Sequence, residues 1–308
     1  MTRSPRGRLL LTGWFWVIGL LLVPPVVAAG AWTLPKGQAW VKESVFYQST
    51  DQQFCTGNLA FCRAHDRAPF NPFTGGRSRA LALFTDVAYG ATDWLEIGVQ
   101  VPFYSLEFRD RANPTRPRTQ KVGDIRLYAK YRVSTHPVVT SVRVGVKTPT
   151  GGVNVDAEVV PVGEGQWDIE GIGEIGRSFS VLPGYANVAV GYRRRRTNTR
   201  FAHKPGDELT LLGELGWQVT RRVTGKGMID YLYSGHPRSL GFTFTRERRE
   251  LLTVAPAVLV TPVHRLTVEG MVRLPVRGQD VPAGPQYSVG VSYTFDLARI
   301  VHRASEIP

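Results

Sequence analysis

The strict alternation of apolar and polar residues constrains the fold of this sequence more than any other feature. In segment 95–103 every odd-numbered position is aliphatic or aromatic, whereas Glu96, Gly98 and Gln100 occupy even-numbered positions. A period of two residues indicates a β-strand, because successive side chains of a strand point to opposite faces. The same pattern recurs at 124–133, 142–147, 186–193, 208–219, 265–274 and 286–295.

Five less regular segments complete a set of about twelve strands, at 39–50, 78–89, 166–179, 223–235 and 250–261. Short and long connections alternate strictly between them. This layout predicts an all-β fold, an antiparallel transmembrane β-barrel with short periplasmic turns, long extracellular loops and both termini in the periplasm. Ten or fourteen strands remain alternatives, because Lys42 and Glu43 lie on opposite faces of the first strand and Pro256 interrupts the tenth.

A soluble β-sandwich also has alternating strands, but it has no reason to place aromatic residues at strand ends. We expect two aromatic girdles, as in membrane barrels. The residues near short turns are Trp94, Tyr131, Phe179, Trp217, Tyr293 and Phe295, and those near long loops are Tyr104, Trp167, Tyr192, Tyr233 and Tyr287.

The first thirty-one residues have the pattern of a secretory signal peptide. Three arginines precede an apolar run at 9–23, and the small residues Ala29, Gly30 and Ala31 follow. This order of charged, apolar and small residues is typical of a cleaved signal. We therefore predict removal of residues 1–31 and a single barrel domain at 32–308, exported to the outer membrane of a Gram-negative bacterium. A retained membrane anchor is the alternative.

The chain has only two cysteines, Cys55 and Cys62, both in the first long loop. No further Cys or paired His lies nearby to complete a zinc site. In an oxidising compartment a disulfide between them is the natural interpretation, and two free thiols are the alternative.

Charged residues on the polar faces of the strands are predicted to line the barrel interior. Because both signs occur, a water-filled pore with this lining would have weak ion selectivity. Alternatively, these charges form ion pairs that simply fill and stiffen the lumen. The candidate lumen-lining residues are Arg126, Lys130, Arg143, Lys147, Glu170, Glu174, Arg193 and Glu214. On neighbouring strands we expect Arg143 and Lys147 to lie beside Glu170 and Glu174, and Glu214 to lie between Arg193 and Lys226.

The formal net charge of +13 comes mostly from predicted loops and rims, including 193–196 and 246–249. Such clusters can bind nucleic acid, but we do not expect an exported protein to have nucleic acid as its partner. The phosphates of outer-membrane lipid and lipopolysaccharide are the expected counter-charges.

Enzymatic chemistry has little support in the sequence. His65 and Asp66 are the only adjacent base and carboxylate, and no nucleophile motif accompanies them. The glycine-rich stretch 163–166 lacks the strand-to-helix context of a phosphate-binding loop, so we predict no cofactor, no metal and no catalytic residue.

Three motifs carry a family resemblance, at 123–132, 144–151 and 163–168: a Gly-Asp strand, a Lys-x-Pro-Thr-Gly strand end and a Gly-x-Gly-x-x-Asp return. The chain resembles the family of outer-membrane transporters named for the meta-pathway of phenol degradation. The resemblance is close over 123–168 and looser elsewhere. It implies a barrel that passes small, often aromatic or apolar compounds. The predicted charged interior differs from the apolar channel that such compounds would need.

These observations predict a passive outer-membrane channel for small solutes, of undetermined oligomeric state. A non-conducting barrel with a structural role, or one that binds a surface partner or lipopolysaccharide, is the alternative.

Overall fold

The structure is a computed structural model that describes residues 30–55, 69–70, 76–109, 118–152, 162–179, 183–245 and 247–297. The strands are β1 (Gln38–Thr50), β2 (Arg77–Gly90), β3 (Leu95–Arg109), β4 (Arg118–Val122), β5 (Arg126–Ser134), β6 (Val139–Lys147), β7 (Asp168–Phe179), β8 (Gly184–Arg195), β9 (His203–Lys204), β10 (Glu208–Gln218), β11 (Val223–Ser234), β12 (Arg238–Ser239), β13 (Phe242–Thr243), β14 (Glu250–Val263), β15 (Leu266–Gln279) and β16 (Gln286–Asp296).

Twelve of these strands form a closed antiparallel barrel. Each pairs with its neighbour along the chain, β16 pairs with β1, and the β2–β3 ladder completes the ring. Strand β4 continues the line of β5 along the outer part of β3, after a break at 123–125. Closure leaves each of the twelve barrel strands paired on both sides. The predicted fold class and strand number are confirmed. The short strands β9, β12 and β13 form a separate small sheet.

Turns and loops divide the barrel into two ends. The turns at 91–94, 135–138, 219–222 and 264–265 lie at one end, which we call the short-turn end. The connections around 51–76, 148–167, 196–207 and 235–249 lie at the other, the long-loop end. Both ends of the described chain lie at the short-turn end, where Leu297 N donates to Gly37 O at 3.0 Å.

The outer surface of the barrel is apolar. Val45, Leu83, Ile97, Val144 and Leu215 are each at least 40% exposed, and each alternates with a buried or half-buried neighbour. The inner face carries most of the charged side chains of the strands. Among the described residues, no helix has the length and hydropathy needed to cross a bilayer.

The interruption expected at Pro256 occurs on one side of its strand only: the ladder from β14 to β15 omits pairs there, whereas Pro256 lies opposite Gly227 in the ladder to β11. One expectation about an individual residue is wrong. Tyr104 does not belong to the outer aromatic girdle. It is 3% exposed and packs edge-on against Phe84 at 5.9 Å, because it shares the inward parity of Gln100 and Pro102.

Parts of the barrel interior are apolar, which the sequence pattern did not reveal. Two buried groups fill the inside of the barrel walls. One consists of Phe46, Ala80, Ala82, Phe84, Tyr104, Leu106, Phe108 and Val162, and the other of Ile172, Ala189, Leu212, Met228, Ala255, Ala257 and Met271. The interior is therefore part packed core and part polar lumen.

Candidate functional site

A dense group of ion pairs fills the long-loop half of the lumen. At its centre, Lys147 Nζ lies 3.0 Å from Asp124 Oδ2, 2.6 Å from Glu164 Oε2 and 3.1 Å from Asp168 Oδ2. Lys147 and Asp168 are almost completely buried. A single ammonium group thus neutralises part of the charge of three carboxylates, which come from the break before β5, from the β6–β7 connection and from β7.

Arginines from the neighbouring strand β8 and from the connection before β14 close this group. Arg195, which is 1% exposed, pairs with Glu164 and donates through Nη1 to Glu208 Oε1 at 3.0 Å. Arg249 Nη2 donates to the same Glu208 oxygen at 2.7 Å, and Arg193 bridges Glu208 and Glu170, at 2.8 Å each. With the neighbouring Arg126, the set balances five acids and five bases. We call it the ionic cluster: Asp124, Glu164, Asp168, Glu170, Glu208, Arg126, Lys147, Arg193, Arg195 and Arg249.

The three motifs that carry the family resemblance build this cluster together. Asp124 accepts hydrogen bonds from Gly151 N at 2.9 Å and from Glu164 N at 3.0 Å. Thr150 Oγ1 donates to Gly123 O at 2.9 Å and accepts from Ile125 N at 2.9 Å. The carboxylate of Asp124 therefore ties down both ends of the β6–β7 connection.

Two glycines allow the ends of this connection to meet. A Cβ atom on Gly151 would lie 2.7 Å from Gly163 Cα, and one on Gly163 would lie 2.6 Å from the Gly151 backbone. Contacts this short exclude a side chain at either position. The close approach directs Glu164 inward, between Lys147 and Arg195.

Electrostatics keeps Glu164 ionised. Burial opposes its charge, but the nearby cations Arg195, Lys147 and Arg249 outweigh that effect and hold the pKa of Glu164 well below its usual range. Its carboxylate is an anionic link between Lys147 of β6 and Arg195 of β8.

The structure places all eight predicted lumen candidates on the inner face, in different groups. Arg126, Lys147, Glu170 and Arg193 belong to the ionic cluster. Lys130 Nζ lies 3.2 Å from Glu96 Oε1, and Arg143 Nη2 lies 3.8 Å from Glu174 Oε1. Glu214 accepts a hydrogen bond from Tyr185 OH at 2.6 Å.

Some pairings differ from the sequence expectation. Lys147 contacts Asp168 rather than Glu170, since the β6–β7 register places those residues opposite each other. Arg193 lies opposite Glu208, whereas Glu214 is opposite Asn187, so no Arg193–Glu214 pair forms. Glu214 lies 3.9 Å from Lys226, as expected. The strand register decides which opposite charges meet.

Sequence reasoning missed two members of the cluster, Arg249 and Glu164. Arg249 was grouped with basic loop residues, but it is 4% exposed and points inward. Arg195 follows the alternation of β8 and shares the inward parity of Arg193, as its position in the sequence predicts. Glu164 lies in a loop and had no such signal.

A segment before β1 crosses the lumen at the short-turn end. Gly30 O accepts from Lys130 Nζ at 3.4 Å, and Ala31 N donates to Asn187 Oδ1 at 3.0 Å. Leu34 N donates to Glu96 Oε2 at 2.9 Å. These contacts attach the segment to the walls formed by β3, β5 and β8. We call residues 30–36 the N-terminal segment.

Trp32 of this segment packs inside the barrel. Its ring lies 5.9 Å from that of Tyr185 in an edge-to-face arrangement, and a Cβ atom on Gly176 would lie 2.8 Å from it. The glycine provides the space for the indole, which narrows the lumen at this level.

Beside the N-terminal segment, the lumen contains a cavity of about 430 Å³. Its charged lining residues carry no net charge: Lys42 and Lys226 bind opposite oxygens of Glu269 at 2.8 and 3.0 Å, and Glu214 supplies a second carboxylate. By contrast, the cavity within the ionic cluster has only about 30 Å³. The open volume therefore lies in the short-turn half.

Several predicted features fall outside the described residues. Cys55 is buried at the start of the first long loop, but Cys62 is not described, so their disulfide stays a prediction. The pair His65 and Asp66 also lies outside the described residues, as do residues 1–29 of the predicted signal peptide.

No family model and no curated protein matches the chain. Solved structures do match it. The crystal structure of the COG4313 outer membrane channel from Pseudomonas putida F1 aligns with a TM-score of 0.71 and 13% identity, over 87% of this chain and 98% of that one. This chain shares the closed β-barrel fold of that structure. The resemblance to the phenol meta-pathway family rests on its motifs alone.

Two other solved structures align with lower scores. The NanC porin has a TM-score of 0.47 at 8% identity, over 82% of this chain and 98% of that one. The Ralstonia pickettii toluene transporter TbuX has a TM-score of 0.44 at 9% identity, over 85% and 90%.

Proposed function

We propose that this protein is a passive outer-membrane channel for small solutes. The observation that carries the proposal is the combination of a closed barrel, an apolar outer surface and a charged inner face that encloses a sizeable cavity. An apolar exterior is suited to lipid, and a polar interior is suited to water and solutes.

The channel is narrow in this conformation because two structural features obstruct its lumen. The ionic cluster joins β6, β7, β8 and β10 across the long-loop half, and the N-terminal segment crosses the short-turn half. A wider path for solutes through the lumen requires movement of the ionic cluster, of the N-terminal segment, or of both. The balanced charges of the cluster support weak ion selectivity. The apolar or aromatic solutes implied by the family resemblance fit this interior less well than polar ones.

Planar-bilayer recording of the refolded chain tests the proposal. We expect discrete conductance steps. The steps should become larger when Trp32→Ala removes the indole from the lumen, and their size should change with Lys147→Ala and Glu170→Ala. Glu43→Gln is the matched control, because Glu43 lies on the outer face of β1. A folded barrel without any steps, in the parent and in all variants, would show that the protein does not conduct.

Lipid phosphates are the proposed partners of the exposed arginines at the long-loop end. Arg194 and Arg196 are exposed and flank the inward-pointing Arg195, close to Trp167, which is 52% exposed. We expect the double variant Arg194→Gln, Arg196→Gln to lower barrel stability in lipopolysaccharide bilayers more than Arg177→Gln at the short-turn end. Equal effects would remove this partner, and with it the reason to keep a lipopolysaccharide-binding role as the alternative function.

Export by a cleaved signal, with both termini in the periplasm, completes the proposal. Cleavage after Ala31 would remove the groups that bind Lys130 and Asn187, whereas cleavage after Ala29 would retain them. The contacts therefore support a mature chain that begins at Gly30. Intact mass of the protein from outer membranes, measured with and without reductant, determines both the first residue and the state of Cys55 and Cys62.

A further inference from the structure

The cavity beside the N-terminal segment has the features of a binding site, and its chemistry restricts the ligand. It encloses about 430 Å³, which is within the range of sites for small molecules. Its walls come from the N-terminal segment and from barrel strands that include β1, β11, β15 and β16. One part of the lining is aromatic: Trp32, Trp40, Phe46, Phe84 and Tyr185. Another part carries hydroxyl groups: Ser44, Ser178, Thr267, Ser288 and Ser292.

One carboxylate oxygen in this cavity has an unused capacity to accept hydrogen bonds. Glu214 is 4% exposed, and its Oε1 accepts from Tyr185 OH at 2.6 Å. Its Oε2 is completely buried and has no hydrogen-bond donor among the described residues, since Lys226 Nζ is 3.9 Å away. A buried carboxylate oxygen without a donor is costly, so a ligand that displaces the side chains covering it and donates a hydrogen bond here would be favoured.

The charge balance argues for a neutral ligand. Lys42 and Lys226 both contact Glu269, and Glu214 supplies a second carboxylate, so the two cations and the two anions balance. A cationic ligand would meet two ammonium groups, and an anionic one would meet two carboxylates. A neutral molecule avoids both repulsions while it still donates to Glu214.

We propose that this cavity binds a neutral, polyhydroxylated ring with one apolar face, of the size of a pyranose sugar. The apolar face of the ring would pack on the aromatic wall, and its hydroxyl groups would exchange hydrogen bonds with the serine and threonine hydroxyls. One ring hydroxyl donates to Glu214 Oε2. This inference rests on the proposed channel function, because the site then lies on the route of the solute.

Titration calorimetry of the refolded chain in micelles tests the class of ligand. The probes are D-glucose as the neutral polyol, phenol as an aromatic ring with one hydroxyl, benzoate as an anion and choline as a cation, each corrected for a micelle blank. We expect glucose to bind with a stoichiometry of one and more tightly than the other three. Tighter binding of phenol, benzoate or choline, or no binding by any probe, overturns the proposal.

Variants place the binding in this cavity. Glu214→Gln removes the anionic acceptor and is expected to weaken glucose binding about tenfold, the scale of one charge-assisted hydrogen bond. Glu43→Gln on the outer face is the matched control and is expected to leave it unchanged. If Glu214→Gln does not fold, Trp40→Leu tests the aromatic wall, with Trp217→Leu on the outer surface as its control. Glucose binding that none of the lining variants affects overturns the site.

Conductance separates this inference from the channel itself. Conductance steps without glucose binding overturn the sugar site and leave the proposed channel intact. Glucose binding that Glu214→Gln weakens, in a barrel that never conducts, supports the site and contradicts the channel.

Discussion

The two halves of the lumen contain similar charged residues but leave very different open volumes. In the long-loop half, ten charged side chains lie so close that they leave about 30 Å³, and Lys147 alone contacts three carboxylates. In the short-turn half, Lys42 and Lys226 share one carboxylate beside a cavity of about 430 Å³. Opposite charges are present in both halves, so charge composition does not determine whether a lumen is open.

What differs is the source of the anions. The cavity is lined mainly by strands and by the N-terminal segment, whereas the ionic cluster receives Glu164 from a connection that folds inward. An inward loop adds side chains where strands alone would leave space. This contrast predicts that the ionic cluster stabilises the barrel and that the cavity contributes little to stability.

The largest expected difference between the halves concerns their central lysines. Lys147→Met leaves three nearby carboxylates with less counter-charge in a buried site, and we expect a loss of about 3–5 kcal/mol in the free energy of unfolding. Lys42→Met is the matched change in the cavity. Since Glu269 keeps Lys226 at 3.0 Å, we expect that loss to stay near 1 kcal/mol, the scale of a replaceable ion pair. Urea unfolding in micelles measures both, and equal losses would erase the distinction.

Removal of the loop carboxylate is expected to have the next largest effect. Glu164→Gln leaves Lys147 and Arg195 with weaker partners, and we expect a loss of about 2–3 kcal/mol at pH 7.

This loss should depend on pH in a defined direction. Because the pKa of Glu164 in the folded state lies well below 4.5, its stabilising contribution is complete above pH 4.5 and disappears as the pH falls below that value. Unfolding free energies of the parent and of Glu164→Gln should therefore converge in acid. A constant difference between pH 7 and pH 3 would show that the carboxylate charge is not what joins Lys147 to Arg195.

The glycine contact that turns the loop inward should be sensitive to a single methyl group. We expect Gly151→Ala to lower stability by about 1–3 kcal/mol, because its Cβ would lie 2.7 Å from Gly163 Cα and the backbone would have to shift. Gly173→Ala in β7 is the control, since no atom lies within 4 Å of its added Cβ. If the two variants unfold alike, the close approach of Gly151 and Gly163 does not hold the loop.

The smallest expected effect is a change in conductance, caused by a substitution in the short-turn half. Trp32→Ala should raise single-channel conductance about twofold, because pore width at a constriction controls ion flow, while stability changes little. The measurement is the step size in planar bilayers, with Trp217→Ala on the outer surface as control. Unchanged steps would locate the constriction in the ionic cluster instead.

The sequence determined much of the architecture through local pattern. A period of two residues fixes which side chains of a strand point in and which point out, so the strands, their number and the alternation of short and long connections could be read directly. Arg143, Lys147 and Glu214 were recognised as inward-facing for the same reason. Tyr104 was misplaced only because its position near a strand end was weighted above its parity.

Only the tertiary structure decided which charges meet and where the lumen is open. The pairing of Lys147 with Asp168 depends on the register between two strands, and the position of Glu164 depends on two glycine backbones in contact across a connection. The path of the N-terminal segment depends on Asn187 and Lys130, which are distant in sequence. Contacts of this kind carry no periodic signal, because they join residues whose separation along the chain is unrelated to their separation in space.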